Sequence, residues 1–258
     1  LMQGSVSISP LEGVPDIRPG DDLAIIIGDC LKKSFEKLID GDVICIAHKI
    51  FSKAEGNVYD LKNVLPSEEA VGMAKKLNKD PRKVEIILNQ SKKVIRAFKR
   101  NDQNEGVMIC EHNLGFISAN AAVDESNVSG NEMVITLPDN PDLSSYQLQT
   151  KLQKRFKVRL GVVMTDTFGR PWRLGQVNVA IGLAGVPATK KEQGNRDAWG
   201  KELFVTEPAF ADEISAASGL VVKKASKTPV VLFRGLEWTK QDSKGSDLIR
   251  KQEEDMFR

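Results

Sequence analysis

The run Val158–Thr165 (VRLGVVMT) constrains the fold more than any other part of the chain. Rich in β-branched residues and without charge after Arg159, it reads as a buried strand. A buried strand needs partners. Asp42–Ala47 (DVICIA) is a second such run, and strand-like patterns follow near Val94–Phe98, Val107–Cys110, Phe116–Ala119, Met133–Thr136 and Val230–Phe233. Helical spacing appears in three places. Leu23, Ile26, Ile27, Leu31 and Leu38 follow Asp21 and Asp22, which read as caps, and this helix is expected to end near Asp40-Gly41. A second is expected from Pro66 through Leu77. A third covers Leu143–Phe156, after a loop over Pro138–Ser145. Thr206 reads as the N-cap of a helix through Leu220, and the charged tail from Asp247 as an exposed helix. His48–Gly56 reads as a loop, and the stretch from Asp166 to about Gly200 as Gly-rich and irregular. Strands outnumber helices and do not alternate regularly with them. The expected fold is therefore α+β, with mixed or antiparallel sheets, rather than a doubly wound parallel sheet. No linker stands out, so residues 1–258 read as one domain of two closely packed lobes.

Composition narrows the function. With 258 residues and 41% apolar content the chain can bury a large core. A formal net charge of +2, from charges of mixed sign, argues against nucleic acid as partner. It suits a local basic pocket for small anions. Three widely spaced cysteines without CxxC spacing point to a reducing compartment. Cys45 and Cys110, each in an apolar run, are expected to be buried. No run of about 18 apolar residues exists to span a membrane. Residues 1–20 hold Pro10, Pro15 and Gly20 and lack a signal-type apolar core. The expectation is a cytoplasmic protein.

Four segments carry candidate chemistry. In Met164–Gln176 (MTDTFGRPWRLGQ) the buried strand runs directly into Asp166 and Thr167, an oxygen pair suited to Mg²⁺ or Mn²⁺. Arg170 and Arg173 offer planar forks for phosphate or carboxylate, and Trp172 can stack on a planar ring or fill space. In Gly115–Asn127, Asp124 can share a metal with Asp166, and Asn127 can recognise a base or a sugar hydroxyl. After the Asp42–Ala47 strand, Lys49, Ser52 and Lys53 can reach phosphates. Gly13-Val14-Pro15 is a turn. Each has a plain structural alternative: an Asp-capped turn with solvated arginines, an Asx-turn, or a loop with two surface lysines. The chain has no Walker loop, GxGxxG, GxSxG or HExxH pattern, and only His48 and His112 as histidines. Carboxylates, hydroxyls and basic groups suit metal-assisted phosphoryl transfer better than acyl hydrolysis or hydride transfer.

Together these segments resemble the coenzyme F-420:L-glutamate ligases, also called F-420-0:gamma-glutamyl ligases. The resemblance rests on GVPDIRPGDDL at 13–23, GDVICIAHKIFSKAEG at 41–56, GFISANAAVDESNV at 115–128, TDTFGRPWRLGQVNVAIGLAG at 165–185, RDAWGKEL at 196–203, ADEISAA at 211–217 and PVVLFRG at 229–235, in family order. It implies GTP as co-substrate, with L-glutamate joined to a deazaflavin precursor. It also implies Mg²⁺ or Mn²⁺, two ions, with K⁺ assisting, and an intertwined homodimer of stand-alone form. By position it implies Asp124 and Asp166 as metal ligands and Thr167 on a second metal. Nucleotide contacts fall on Val14, Pro15, Asp16, Ile17, His48, Lys49, Lys53, Asn127 and Lys224. Lys53 and Arg170 are the catalytic candidates, and Trp172 the substrate-binding one. The chain departs from the family pattern at Lys223-Lys224, where Gly is usual, at Asn178, where Asp is common, and at His48-Lys49, which replace smaller polar residues. A ligase acting on another acceptor and a non-catalytic nucleotide- or deazaflavin-binding protein are the alternatives.

Overall fold

The computed structural model describes residues 4–35, 37–126, 130, 132–222 and 227–255. Strand β1 (Ser7–Pro10) precedes helix α1 (Leu23–Ser34), strand β2 (Asp42–Ala47), helix α2 (His48–Glu55) and strand β3 (Val58–Asp60). Helices α3 (Glu68–Leu77) and α4 (Pro81–Asn89) lead to strands β4 (Ser91–Phe98), β5 (Val107–His112), β6 (Ile117–Ala119) and β7 (Met133–Ile135). Helix α5 (Pro141–Phe156), strands β8 (Leu160–Arg170) and β9 (Arg173–Ala184), helix α6 (Phe210–Ser218) and strand β10 (Val230–Arg234) complete the order. The expected α+β class holds. A five-stranded mixed sheet runs β1-β10-β2-β8-β9, with β2 and β8 parallel and the other pairs antiparallel. A three-stranded antiparallel sheet is ordered β4-β5-β6, and β3 pairs with β7.

The five-stranded sheet is apolar on both faces because its strands alternate two hydrophobic sets. Ile44, Ile46, Leu160, Val162, Met164, Val230 and Leu232 meet α1, α2 and α5 on one face. Val43, Cys45, Val163, Val231 and Phe233 meet Phe210, Ala211 and Ile214 of α6 on the other. A third core joins α3 and α4 to the three-stranded sheet through Leu77, Val84, Ile87, Met108 and Cys110. Gly182 makes one of these contacts possible. A Cβ there would stand 2.6 Å from the backbone of Pro141, so only glycine lets the start of α5 lie this close to β9.

Several local expectations are corrected. Helix α1 stops at Ser34 rather than near Asp40, although Asp22 caps it as expected by accepting from the Ala24 and Ile25 N–H groups. The second helix starts at Glu68 behind a Ser67 cap, not at Pro66. His48–Glu55 is a helix, closed by Gly56 in the left-handed conformation, and not a loop. Helix α4 was hidden by its position directly after α3, yet Asp80-Pro81 is a cap followed by proline at the first turn. Helix α5 begins at Pro141 behind an Asn140 cap, inside the expected loop. Residues 173–184 form strand β9: Val177, Val179, Ile181 and Leu183 carry a two-residue period that the glycines obscure. Helix α6 starts at Phe210, and Thr206 does not cap it. Among the described residues the tail carries only short helical turns at Gly245–Leu248 and Gln252–Glu254. Among the described residues no helix is long and apolar enough to cross a membrane.

Candidate functional site

Helix α2 follows directly from the C-terminal end of β2, which pairs in parallel with β8. That end of a buried parallel pair is where an α/β arrangement places ligands, because the strands hold the loop residues rigidly. The first two residues of α2 reach two carboxylates from distant parts of the chain. His48 Nε2 stands 3.3 Å from Asp166 Oδ1. Lys49 Nζ donates to Asp124 Oδ2 at 2.5 Å, across 75 residues of sequence. One helical turn thus gathers the two carboxylates that the sequence named. His48 is fixed from behind, since its Nδ1 lies 3.1 Å from Ser52 Oγ in a buried contact.

Asp124 is held ionised. Burial would raise its carboxyl, but the Lys49 hydrogen bond and the Ser126 backbone N–H overcome that and bring its pKa down to about 2. Ser126 Oγ also donates to Asp124 Oδ2, and Lys49 Nζ contacts both Ser126 Oγ and Ser126 carbonyl oxygen. Asp166 uses Oδ1 to accept from the Thr167 N–H at 2.7 Å. The side chains of Asp166 and Thr167 diverge. Asp166 shares the α1–α2–α5 face with Met164, whereas Thr167 Oγ1 donates to Asn178 Oδ1 at 2.8 Å and Asn178 reaches Ser218 of α6. Neighbouring strand residues point to opposite faces, so Thr167 is not brought together with the carboxylates.

A second cluster lies near the C-terminal half of α2. Lys53 is half-buried. Burial pushes its ammonium pKa down, Asp16 opposes this, and the charges of Lys49 and Lys227 add to it. Lys227 Nζ lies 3.2 Å from Asp16 Oδ2. Asp16 of the 13–17 turn is thus paired with Lys227 and its charge acts on Lys53. Within the turn, Pro15 and Asp16 are exposed, while Val14 and Ile17 are core residues. Their side chains face inward, which leaves only their backbone groups for a ligand.

Arg170 and Trp172 belong to the end of the β8–β9 hairpin. Arg170 Nη2 donates to the Leu174 carbonyl. It lies four positions beyond Asp166 on β8, about 13 Å along the backbone. Trp172 sits at the tip with φ 56° and 79% exposure. Asn127 and Lys224 lie outside the described residues. The sequence reading missed Ser126, Glu125, Lys83, Lys227 and His112. Ser126 and Glu125 stood inside a quoted motif. Lys83 and Lys227 come from chain positions that only folding brings near. His112 is 3% exposed, accepts from the Leu114 N–H through Nδ1, and so carries its proton on Nε2, which has no partner among the described residues.

The donor chemistry fits a hard divalent cation. Asp124 and Asp166 carry oxygens of the type such an ion takes, and in the structure the Asp124 carboxylate is paired with the Lys49 ammonium. Among the described residues no three His, Cys, Asp or Glu groups form a protein cage for a metal.

Comparison with known proteins bears on this arrangement. Residues 13–235 match the family model described as F420-0:Gamma-glutamyl ligase. A coenzyme F420:L-glutamate ligase from Methanothermobacter thermautotrophicus is 40% identical over 256 residues, covering 98% of this chain and 99% of that protein. One of the same name from Methanocaldococcus jannaschii is 40% identical, covering 85% of each chain. One from Methanopyrus kandleri is 39% identical, covering 98% of each. The matched span contains β2, α2, the Asp124 segment and the β8–β9 hairpin, and so the chain belongs to the F420-0:gamma-glutamyl ligase family.

Proposed function

We propose that the chain is a GTP-dependent ligase that joins L-glutamate to the deazaflavin precursor coenzyme F-420-0, releasing GDP and phosphate. The observation that carries this reading is the convergence of Asp124 and Asp166 on the first turn of α2, in a chain aligned almost end to end with a relative named coenzyme F420:L-glutamate ligase. A carboxylate does not acylate an amine at neutral pH and must be activated. One carboxylate oxygen of the acceptor attacks the γ-phosphorus of GTP, the bond to GDP breaks, and an acyl phosphate forms. The glutamate amine then attacks the acyl carbon, the C–N bond forms, phosphate departs with the electron pair of the C–O bond, and the amine sheds a proton.

Mg²⁺ or Mn²⁺, when bound, neutralises phosphate charge, with Asp124 and Asp166 as its holders. Thr167, on the opposite strand face, would serve the second of two ions, and K⁺ is a further candidate. Lys53 meets the phosphates from α2, beside the backbone of Val14–Ile17 and with His48 and Lys49 behind it. Asn127 and Lys224 complete the nucleotide contacts. Arg170 is assigned to transition-state charge from the hairpin, and the exposed ring of Trp172 to the deazaflavin face. Cys30, Cys45 and Cys110 are free and buried, in keeping with a reducing cytoplasm.

Mass spectrometry of a reaction holding the monophosphorylated deazaflavin precursor, glutamate, Mn²⁺ and either GTP or ATP tests the reading. A gain of one or more glutamyl units with GTP and not with ATP is expected. No gain, with GTP still bound, would transfer the activity to another acceptor or leave a binding protein.

The reading also includes a homodimer of two-lobed chains. Trp172 and Leu174 at the hairpin tip, with Trp199, Phe204, Val205 and Leu220, are each at least 73% exposed. Large apolar side chains left this exposed favour a protein partner, here a second copy. Light scattering is expected to give the mass of two chains, falling to one when Trp172 and Leu174 are both changed to Ser. A wild-type monomer at micromolar concentration would sink the dimer.

A further inference from the structure

Next to the Asp124 segment lies a network that no sequence motif announces. Lys83 of α4 is almost fully buried, with 7% of its side chain exposed, and its Nζ reaches Glu125 Oε2 at 2.6 Å and Glu105 Oε2 at 3.2 Å. Lys79, with 2% of its side chain exposed, pairs with Glu105 at 2.7 Å and, among the described residues, makes no ion pair with the 124–126 segment. Glu125 stands between Asp124 and Ser126, the two residues that Lys49 grips from α2. Asp124 and Ile135 exchange both backbone hydrogen bonds, at 3.0 and 2.8 Å, and the chain then turns at Ser126, whose N–H donates to Asp124 Oδ1 at 2.8 Å. One ammonium therefore holds the segment from α2 through residues 124 and 126, and another holds it from α4 through residue 125.

We propose that Lys83, acting through Glu125, is a positioning residue that sets the direction of the Asp124 carboxylate toward a divalent cation. The proposal rests on the reading of Asp124 as a metal ligand. A second partner of this kind matters because a ligand carboxylate must be aimed before the ion arrives, and groups behind a ligand change metal affinity about 10- to 100-fold. Glu125 and Glu105 remain about half exposed. Removing the Lys83 charge therefore leaves carboxylates that water can solvate, and the methionine stem replaces the buried methylenes, so the fold is retained.

The test is titration of the full chain with Mn²⁺ alone, following free Mn²⁺ by electron paramagnetic resonance, with thermal unfolding measured in parallel. Lys83→Met and Glu125→Gln are expected to weaken Mn²⁺ binding about tenfold, and Lys83→Arg to restore it. Lys79→Met removes an equally buried charge and is expected to keep affinity within about twofold of wild type. Equal Mn²⁺ affinities in Lys83→Met and Lys79→Met overturn the positioning role, because both then report only on the shared ion-pair network. Wild type that binds no Mn²⁺, or Asp124→Asn that binds it as wild type does, overturns the metal reading and the proposal with it.

Discussion

Asp166→Asn is expected to lower turnover about a thousandfold at fixed metal concentration, equivalent to about 4 kcal/mol of transition-state stabilisation. The argument is that the substitution changes charge and little else. Asp166 Oδ1 accepts the Thr167 N–H at 2.7 Å and lies 3.3 Å from His48 Nε2, and an asparagine oxygen can keep both contacts. Only 14% of the Asp166 side chain is exposed, so the lost charge is one that water screens little. The amide retains the shape and loses the affinity of a carboxylate for a hard cation. Steady-state rates at several Mn²⁺ concentrations check this, together with an unfolding midpoint close to wild type. Full turnover at the wild-type Mn²⁺ requirement would remove Asp166 from the metal assignment.

The second large effect concerns acid stability and depends on His112. Burial drives its pKa down from 6.5 to about 4, the charge of Asp166 opposes the shift, and Lys92 reinforces it. The folded state thus favours the neutral ring. Between pH 6.5 and about 4 the unfolded chain binds more protons than the folded one, so stability rises with pH across that window. The contribution is complete above pH 6.5 and is lost as pH falls toward 4, a total of about 3 kcal/mol. His112→Asn can still accept the Leu114 N–H and removes the titration. Urea unfolding at pH 7, 5.5 and 4.5 is expected to show wild type losing stability steeply while the variant loses about 2 kcal/mol less by pH 4.5. Glu55, Asp142 and Asp212, raised by burial, work in the opposite direction as they protonate, and they are common to both proteins. Parallel stability profiles for the two would show that His112 titrates as it does in the unfolded chain.

His48 and Lys49 show where sequence reading stopped. Their family resemblance marked them for a nucleotide, and the local pattern suggested a loop because HKIFSKAEG is short and rich in charge. In the folded chain they open α2 and contact Asp166 and Asp124. Helix α2 is only eight residues long, below the length at which periodicity is persuasive, and it gains stability from burying Ile50 and Phe51 in the main core. Strand β9 was missed for a related reason: its apolar residues alternate, but Gly169, Gly175 and Gly182 nearby imitate a loop, and pairing with β8 is what makes the strand.

From sequence alone came what depends on neighbours along the chain: the α+β class, the buried strands Asp42–Ala47 and Val158–Thr165, the latter observed as Leu160–Arg170, the Asp22 cap, and Asp124 and Asp166 as candidate ligands. Residue type and a two-residue period carry that information locally. Tertiary structure decided the rest. The parallel pairing of β2 with β8 puts α2 against Asp166, the opposite facing of adjacent strand residues sends Thr167 to α6, and ion pairs across 75 and 42 residues join Lys49 to Asp124 and Lys83 to Glu125. Contacts between such distant positions leave no periodic trace in the chain, because their geometry is set by the sheet order and by how the cores pack.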